Sequence, residues 1–236
     1  MKISGLQKMT LLDYPGKVAC TVFLQGCNFR CPFCHNSDLL GATGPEGLTT
    51  EELLAFLKKR VGLLDGVCIT GGEPTLQSDL EELICAIKEL GYLVKLDTNG
   101  TRPEVVKALA EKKLIDYVAM DIKNGPDAYP ETAGAPHMDL TQVEQTMQFL
   151  LHGELDYEFR TTVVDQLHSA QTIESIGRWL QKLAPNHKAK RFYLQSYMDR
   201  DTVLMGGLSA PTKEKMQEYQ AILAPHGEIV ELRGID

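Results

Sequence analysis

The chain has 236 residues, of which 43% are hydrophobic and 24% are charged, and its formal net charge at pH 7 is −8. This composition is that of an ordinary globular chain, and the negative balance disfavours a nucleic-acid backbone as a partner. No stretch approaches the roughly 20 apolar residues of a membrane span, and the first residues lack the apolar core of a secretory signal. We therefore expect a cytoplasmic protein that binds neither nucleic acid nor membrane.

Short β-rich runs alternate with amphipathic stretches along the chain. Strands are predicted at 18–25, 67–70, 93–96, 117–122, 159–164 and 192–195. Helices are predicted near 50–60, 78–90, 102–113, 141–152, 170–183 and 211–223. Four helix starts match the capping-box pattern: Thr49 with Glu52, Ser78 with Glu81, Thr101 with Glu104, and Thr141 with Glu144.

A strand followed by a helix, six times over, predicts parallel strands joined by right-handed crossovers. Six units are too few for the eight-unit barrel, which typically takes about 250 residues. We expect an α/β fold, an open and partial (β/α)6 TIM-like barrel, with a doubly wound sheet as the alternative. No linker-like tract divides the chain, so we predict a single domain over 1–236. Its N-terminal segment and cysteine loop occupy 1–47, and the remaining β/α units occupy 48–236.

Residues whose side chains can bind ligands or take part in catalysis follow the predicted strands directly. The stretches are 27-CNFRCPFCHN, 71-GGEP, 97-DTNG, 121-DIK, 165-DQLH and 195-QSY. In parallel α/β folds the carboxyl ends of the strands lie at one edge of the sheet, where ligands bind. We therefore expect these groups to face one cavity.

Three of the six cysteines, Cys27, Cys31 and Cys34, lie in one short loop. This spacing suits a metal site in a reducing compartment better than a disulfide framework. A closed zinc site needs a fourth ligand, and His35 is awkwardly placed next to Cys34. A cubane iron–sulfur cluster tolerates three thiolates and leaves one iron open to a substrate or cofactor. We interpret the loop as a cluster site, with structural zinc as the less favoured alternative.

The cysteine motif, with Phe33 before its last cysteine and 71-GGEP after the next strand, resembles the radical S-adenosylmethionine (SAM) superfamily. The stretches 34-CHN, 97-DTNG and 121-DIK are similar to those of the activating enzymes of glycyl-radical enzymes. The segment 13-DYPG resembles the D-G-P-G segment of these enzymes, with Tyr14 in place of a glycine. Within this branch, the chain most resembles the activating proteins of anaerobic ribonucleoside-triphosphate reductase, in the stretches 11-LLDYPGK, 23-FLQGCNFRCPFCHN, 160-RTTVV and 232-LRG.

The resemblance implies a 4Fe-4S cluster whose open iron binds SAM. An electron delivered through the cluster would cleave SAM to methionine and a 5′-deoxyadenosyl radical, which takes a hydrogen atom from a glycine of the partner enzyme. The partner implied is anaerobic ribonucleotide reductase. Because the chain has no second cysteine cluster, we expect a flavodoxin or ferredoxin as the electron donor.

The resemblance also implies roles for residues at the strand ends. Gly71 and Gly72 would let the backbone approach the methionine moiety of SAM, although a tight turn alone would also require them. Glu73 is a candidate for the SAM ammonium group, and Asp97 with Lys123 is a complementary pair for its amino and carboxylate ends. The other candidates for contact with the cluster, SAM or the glycine loop are Phe33, Asn36 and Asn99.

Further candidates concern a cation and the partner protein. Asp97, Thr98 and Asp121 offer oxygens of the kind that a monovalent or divalent cation prefers, with a plain Asp–Lys ion pair as the alternative. Arg160 lies inside a strand, where it needs a carboxylate partner, and Asp13 is one candidate. Both residues are also candidates for contact with the glycine loop of the partner protein. His168 is expected to be an exposed loop histidine.

Three alternative functions remain open at this point. The first is activation of another glycyl-radical enzyme, such as pyruvate formate-lyase or a decarboxylase. The second is a small-molecule radical SAM enzyme, for instance of the deazaguanine pathway. The third is a cluster-bearing or zinc-bearing binding module without turnover.

Overall fold

The structure is a computed structural model that describes residues 1–41 and 47–235. The contacts between residues divide the chain into two compact units. The first unit comprises 1–28, 38–98 and 104–119, and the second comprises 29–37, 99–103 and the chain from 120 onward. The predicted single domain stays a prediction. Most of the loop predicted between Gly41 and Gly47 lies outside the described residues.

The described chain contains strands β1 to β8 and helices α1 to α7. The strands are Ile3–Thr10, Ala19–Leu24, Gly66–Gly71, Leu93–Thr98, Tyr117–Asp121, Asp156–Val163, Ala189–Ser196 and Gly227–Arg233. The helices are Thr50–Lys58, Leu80–Glu89, Pro103–Glu111, Tyr129–Thr132, Thr141–His152, Ala170–Leu183 and Lys213–Leu223. All six predicted strands and all six predicted helices are present.

The two edge strands and one short helix were missed. β1 and β8 expose much of their length, so neither carries the continuous apolar run of a strand buried on both faces. The helix α4 has a single turn that begins beside Pro130, and too few residues to show a helical period. Within the described residues, no helix is long and apolar enough to cross a membrane.

The strands follow sequence order across an eight-stranded sheet, from β1 to β8. β1 is antiparallel to β2. β2, β3 and β4 pair in parallel in the first unit, and β6, β7 and β8 pair in parallel in the second. The order does not return from β8 to β1, so the sheet is open. The predicted α/β fold of the partial-barrel type is confirmed.

The core of each unit forms where strands pack under amphipathic helices. In the first unit, Val22, Ile69 and Leu96 of β2, β3 and β4 are completely buried. In the second unit, the rings of Phe159 and Phe192 on β6 and β7 are 6.3 Å apart. Parallel strands covered by helices are apolar along most of their length, which is why short apolar runs in the sequence predicted these six strands.

The predicted capping boxes have different outcomes, and the one formed by Thr101 and Glu104 stays a prediction. Thr49 and Glu52 bond reciprocally at the start of α1. The predicted boxes at Ser78 and Thr141 are wrong, because α2 begins after Asp79 without a side-chain cap and Thr141 is itself the first residue of α5. An unpredicted box, formed by Ser169 and Thr172, starts α6.

Candidate active site

The turn after β3 lies against the start of the cysteine loop in the first unit. The Glu73 N–H donates to the carbonyl of Gly26 at 2.7 Å, directly before the first cysteine. A Cβ on Gly72 would overlap that carbonyl, and a Cβ on Gly71, whose φ is +123°, would overlap the backbone of Leu24. Both glycines are therefore required by close backbone packing. Their predicted contact with SAM stays a prediction.

Glu73 is a buried carboxylate with fixed orientation. Its Oε1 accepts hydrogen bonds from the Thr75 N–H at 3.1 Å, from the Thr75 hydroxyl at 2.5 Å and from the Thr98 hydroxyl at 2.8 Å. The residue is only 1% exposed. These hydrogen bonds orient the carboxylate and reduce the cost of burying it.

The end of β4 carries a buried ion pair that sequence reasoning did not assign. The ammonium of Lys95, which is 1% exposed, bonds the Oδ1 of Asp97. The Cys68 thiol contacts the same oxygen at 3.6 Å. Asp97 thus pairs with a lysine two residues earlier, and the predicted roles of Asp97 and Lys123 at the two ends of SAM stay predictions. Residues i and i+2 of a strand share one face, so the spacing K-x-D could have indicated this pair.

In the second unit, Asp121 at the end of β5 is held by two cations. Its Oδ2 accepts from Lys123 Nζ at 2.8 Å, and its Oδ1 accepts from Arg160 Nε at 2.9 Å. Burial opposes ionisation of Asp121, but Arg160 and Lys123 outweigh it and hold the pKa of the carboxyl below its ordinary value. Burial likewise disfavours a charged Lys123, yet Asp121 raises the pKa of the ammonium above its ordinary value. Both groups are therefore charged at neutral pH.

Arg160 has therefore found a carboxylate partner, as its place in a strand required. That partner is Asp121, whereas Asp13 in the first unit accepts a hydrogen bond from the Thr21 hydroxyl at 2.5 Å. The suggestion that Asp13 meets Arg160 stays a prediction. The predicted contacts of both residues with a partner loop stay predictions.

The part of the cysteine loop that belongs to the second unit, from Phe29 to Ser37, forms a turn held by hydrogen bonds within that unit. The Cys34 N–H donates to the Cys31 carbonyl at 3.0 Å. The Arg30 N–H and the Cys31 thiol both donate to the carbonyl of Ala133, at 3.0 and 3.6 Å. Burial raises the pKa of the Cys34 thiol, while a backbone hydrogen bond from Asn36 and the charge of Lys123 act in the opposite direction.

The donor set fits a three-thiolate iron–sulfur cluster. None of the six cysteines, all of which lie in the described part of the chain, is in a disulfide. Among the described residues, no three His, Cys, Asp or Glu side chains are grouped to hold a single metal ion. A cubane needs no such group, because each thiolate binds a different iron. Cys27, Cys31 and Cys34, within one loop, therefore suit a cluster better than a closed zinc site.

His35 does not supply a fourth ligand through its Nε2. That nitrogen lies 2.7 Å from the carbonyl oxygen of Met198, and the imidazole stacks on the ring of Tyr197 with centroids 5.6 Å apart. Ser37 and Thr202 add hydrogen bonds between the cysteine loop and the segment after β7. His35 thus helps to anchor the loop.

The other predicted site residues differ in burial and in their contacts. Phe33 is buried, and Asn36 is half-buried. Asn99 is buried, and its Oδ1 accepts from the N–H and hydroxyl of Thr101, the geometry of a turn residue. Of the three proposed cation ligands, Asp97 and Asp121 bind lysines and Thr98 donates to Glu73. The cation site stays a prediction.

Sequence reasoning missed several residues that support this region. Tyr129 is completely buried, and its hydroxyl donates to the Asp121 carbonyl at 3.3 Å. Gly134, with φ +64°, lies so close to the Arg30 backbone that a Cβ would overlap it. Both follow 121-DIK in the stretch 125-GPDAYPETAG, whose glycines and prolines marked only a loop.

The expectation for His168 is wrong, because this residue is buried rather than exposed. Its Nδ1 accepts from the Val164 N–H at 3.1 Å, and its Nε2 lies 2.9 Å from the Lys123 carbonyl oxygen. Burial lowers the pKa of the imidazole. A neutral ring with its proton on Nε2 satisfies both contacts, so His168 fixes the backbone of Lys123.

Comparison with known proteins identifies the class. The Radical SAM superfamily profile matches residues 21–164. A glycyl-radical enzyme activating enzyme of Methanocaldococcus jannaschii is 37% identical over 184 residues, which cover 75% of this chain and 74% of the relative. The pyruvate formate-lyase 1-activating enzyme of Escherichia coli is 27% identical over 255 aligned positions, with 97% of each chain covered.

A solved structure agrees in fold. Streptococcus suis SuiB bound to S-adenosylmethionine superimposes with a TM-score of 0.67 at 14% identity, covering 91% of this chain and 52% of SuiB. This chain thus spans about half the length of SuiB. The chain belongs to the radical SAM superfamily, whose enzymes use a 4Fe-4S cluster and SAM. Within it, the chain is a member of the family of glycyl-radical enzyme activating enzymes.

Proposed function

We propose that this protein activates an anaerobic ribonucleoside-triphosphate reductase by generating the glycyl radical of that enzyme. Membership of the activating-enzyme family carries the general part of the proposal. The choice of reductase rests on the stretches 11-LLDYPGK, 160-RTTVV and 232-LRG. The single structural observation behind the proposal is a loop with three cysteines outside any disulfide, whose start at Gly26 accepts a hydrogen bond from the Glu73 N–H of the 71-GGE turn.

In this proposal, Cys27, Cys31 and Cys34 hold the 4Fe-4S cluster. The bound cluster and SAM together supply the reductive cleavage that yields methionine and the 5′-deoxyadenosyl radical. The protein's own residues position SAM and exclude competing hydrogen donors. The buried aromatic side chain of Phe33, next to Cys34, would help to exclude water from the cluster.

Charged side chains at the strand ends would bind the polar groups of SAM. Glu73, held by three donors, suits the ammonium group. Lys123, protonated and fixed by Asp121, suits the carboxylate. Gly71 and Gly72 have no side chain, so the methionine moiety of SAM would approach their backbone closely. Asn36, Asn99 and Asp97 offer further groups for hydrogen bonds to SAM. A cation bound near Asp97, Thr98 and Asp121 remains part of the proposal.

The segment 13-DYPG is the proposed contact with the partner. Tyr14, which replaces the expected glycine, is 4% exposed and packs against Tyr117 with ring centroids 5.9 Å apart. This packing anchors the segment, while Leu11 and Leu12 remain 67% and 87% exposed. Exposed leucines beside an anchored turn suit a protein surface. Asp13 and Arg160 are the proposed polar contacts with the glycine loop.

A second candidate is activation of a pyruvate formate-lyase. It is favoured by the alignment with the Escherichia coli pyruvate formate-lyase 1-activating enzyme, which spans 97% of both chains. The cluster and SAM residues would be the same in both cases, so these residues do not discriminate between the two partners.

The proposal is tested by electron paramagnetic resonance. The cluster-loaded protein is incubated anaerobically with SAM and dithionite, and each candidate enzyme is added in a separate sample. A glycyl-radical doublet with the reductase alone supports the proposal. A doublet with the formate-lyase and none with the reductase selects the second candidate. Absence of 5′-deoxyadenosine in every sample contradicts both.

The electron donor and the compartment complete the proposal. We propose a flavodoxin or ferredoxin as donor, because the chain's only closely spaced cysteines are the three of the cluster loop. Six cysteines in the thiol form suit the reducing environment of the cytoplasm. Replacing dithionite by each donor protein with its reductase tests the first point.

A further inference from the structure

Five side chains of alternating charge follow one another through the second unit. In order they are Arg233 on β8, Glu158 and Arg160 on β6, Asp121 on β5 and, beyond it, Lys123. The proposed function uses the last three and assigns no role to Glu158 or to Arg233 of the closing LRG stretch. The contacts of Glu158 and Arg233 indicate a role for both residues.

Glu158 is a buried acid with a specific partner. Its side chain is 1% exposed, and a carboxylate in such a position is costly unless it is paired. Both terminal nitrogens of Arg233 donate to it, each at 3.1 Å. The Arg233 guanidinium also lies 3.3 Å from the ring centroid of Tyr193. Stacking and two parallel hydrogen bonds fix the plane of the guanidinium.

Arg160 lies between two carboxylates. Its Nε donates to Asp121 at 2.9 Å, while its NH1 is 4.0 Å from Glu158. Glu158 therefore competes with Asp121 for this guanidinium. Since Arg233 neutralises Glu158, the closer contact with Asp121 prevails. Without Arg233, Arg160 would move toward Glu158, and Asp121 would bind Lys123 more strongly.

We propose that Arg233 and Glu158 are positioning residues, which keep Arg160 on Asp121 and thereby keep the Lys123 ammonium available to the carboxylate of SAM. This inference rests on the proposed function, in which Lys123 binds SAM. It gives the LRG stretch a role at the site, exerted through Arg160.

The first test measures the affinity of the cluster-loaded protein for SAM without reductant, so that no turnover occurs. Arg233→Gln should raise the dissociation constant about threefold to tenfold, because side chains of one ion-pair network are energetically coupled. The double variant E158Q/R233Q should return it to within about twofold of the wild type, because the competing carboxylate is gone. A purely structural role predicts the opposite, a double variant at least as impaired as R233Q.

The second test is a double-mutant cycle with Arg160. If Arg233 acts through Arg160, R233Q should change SAM affinity less than about twofold in an Arg160→Gln background. Arg178→Gln is the matched control, since Arg178 pairs with Glu174 on the exposed face of α6, and it should leave affinity unchanged. Thermal unfolding and iron content are measured for every variant.

Three results would overturn the inference: unchanged SAM affinity in a folded R233Q protein, an E158Q/R233Q protein no better than R233Q, or additive losses for R160Q and R233Q. Should R233Q not fold, Arg233→Lys takes its place, because lysine keeps the charge but not the paired hydrogen bonds. E158Q should then reverse its loss of affinity. If the wild-type protein binds SAM but forms no glycyl radical, the proposed function is contradicted. The positioning role of Arg233 and Glu158 can still be tested, because the test measures only SAM affinity.

Discussion

The Thr98 hydroxyl donates to the carboxylate of Glu73 at 2.8 Å, which ties the end of β4 to the turn after β3. The same oxygen of Glu73 also accepts both hydrogen bonds from Thr75. This single carboxylate therefore organises two of the motifs that the sequence analysis identified separately.

Removal of this carboxylate should cost stability. Glu73→Ala leaves the hydroxyls of Thr75 and Thr98 without their acceptor, which should lower the free energy of unfolding by about 1–3 kcal/mol. Glu73→Gln keeps an acceptor oxygen and should cost less. Thr98→Val removes one of three bonds, so it should also cost less than E73A. Urea unfolding of the cluster-free proteins measures the order, and a T98V protein less stable than E73A would contradict it.

The loop cysteines should be required for the cluster and dispensable for the fold. Cys27→Ser, Cys31→Ser and Cys34→Ser should each lose most of the bound iron and sulfide after anaerobic reconstitution, since each thiolate binds one iron. Cys85→Ser is the control, because Cys85 is a half-buried thiol on α2. Iron and sulfide assays with circular dichroism separate the outcomes. Retention of a full cluster in any loop variant would disprove the assignment.

Close packing at Gly72 should make this position intolerant of any side chain. Gly72→Ala places a Cβ on the Gly26 carbonyl, which should destabilise the protein by about 1–3 kcal/mol through overpacking. Gly206 has open space around it, so Gly206→Ala should change stability by less than about 0.5 kcal/mol. Equal stabilities of the two variants in thermal unfolding would exclude this explanation.

His168 should make the stability of the protein sensitive to mild acid. Its folded pKa lies below the unfolded value of about 6.5, so the unfolded state binds more protons as the pH falls below that value. Protonation would also abolish the acceptor at Nδ1 that the Val164 N–H uses. Stability is therefore lost on acidification.

The comparison variant is His168→Gln, which does not titrate. Between about pH 7.5 and 5.5 the wild type should lose more of its unfolding free energy than H168Q, because only the wild type carries this titrating imidazole. Denaturant titrations at both pH values give the difference. An equal loss in the two proteins would show that His168 is already accessible to protons in the folded state.

The capping box at α1 should contribute measurably, in contrast to the box that does not form at α2. Thr49→Ala removes a side-chain acceptor from the Glu52 N–H and should cost about 1 kcal/mol. Ser78→Ala removes no cap, because α2 begins after Asp79 without one, and should stay within about 0.5 kcal/mol of the wild type. Equal costs in chemical unfolding would contradict the observed helix starts.

Much of the fold follows from local patterns. Six strands and six helices are evident from the sequence, because a strand buried on both faces is apolar along its length and an amphipathic helix repeats every 3.6 residues. The edge strands β1 and β8 lack this signal. The predictions of capping boxes at Ser78 and Thr141 were wrong, because both residues match the sequence pattern but neither side chain caps the helix that begins there.

The sequence by itself determined the chemistry of the cysteine loop, because the identity and spacing of Cys27, Cys31 and Cys34 already limit the groups they can hold. Only the tertiary structure decided how the charges pair: Lys95 with Asp97, Arg160 with Asp121, and Arg233 with Glu158. Opposite charges attract at any sequence separation. Which pairs form therefore depends on the strand register that brings them within hydrogen-bonding distance, and this register arises from packing along the whole chain.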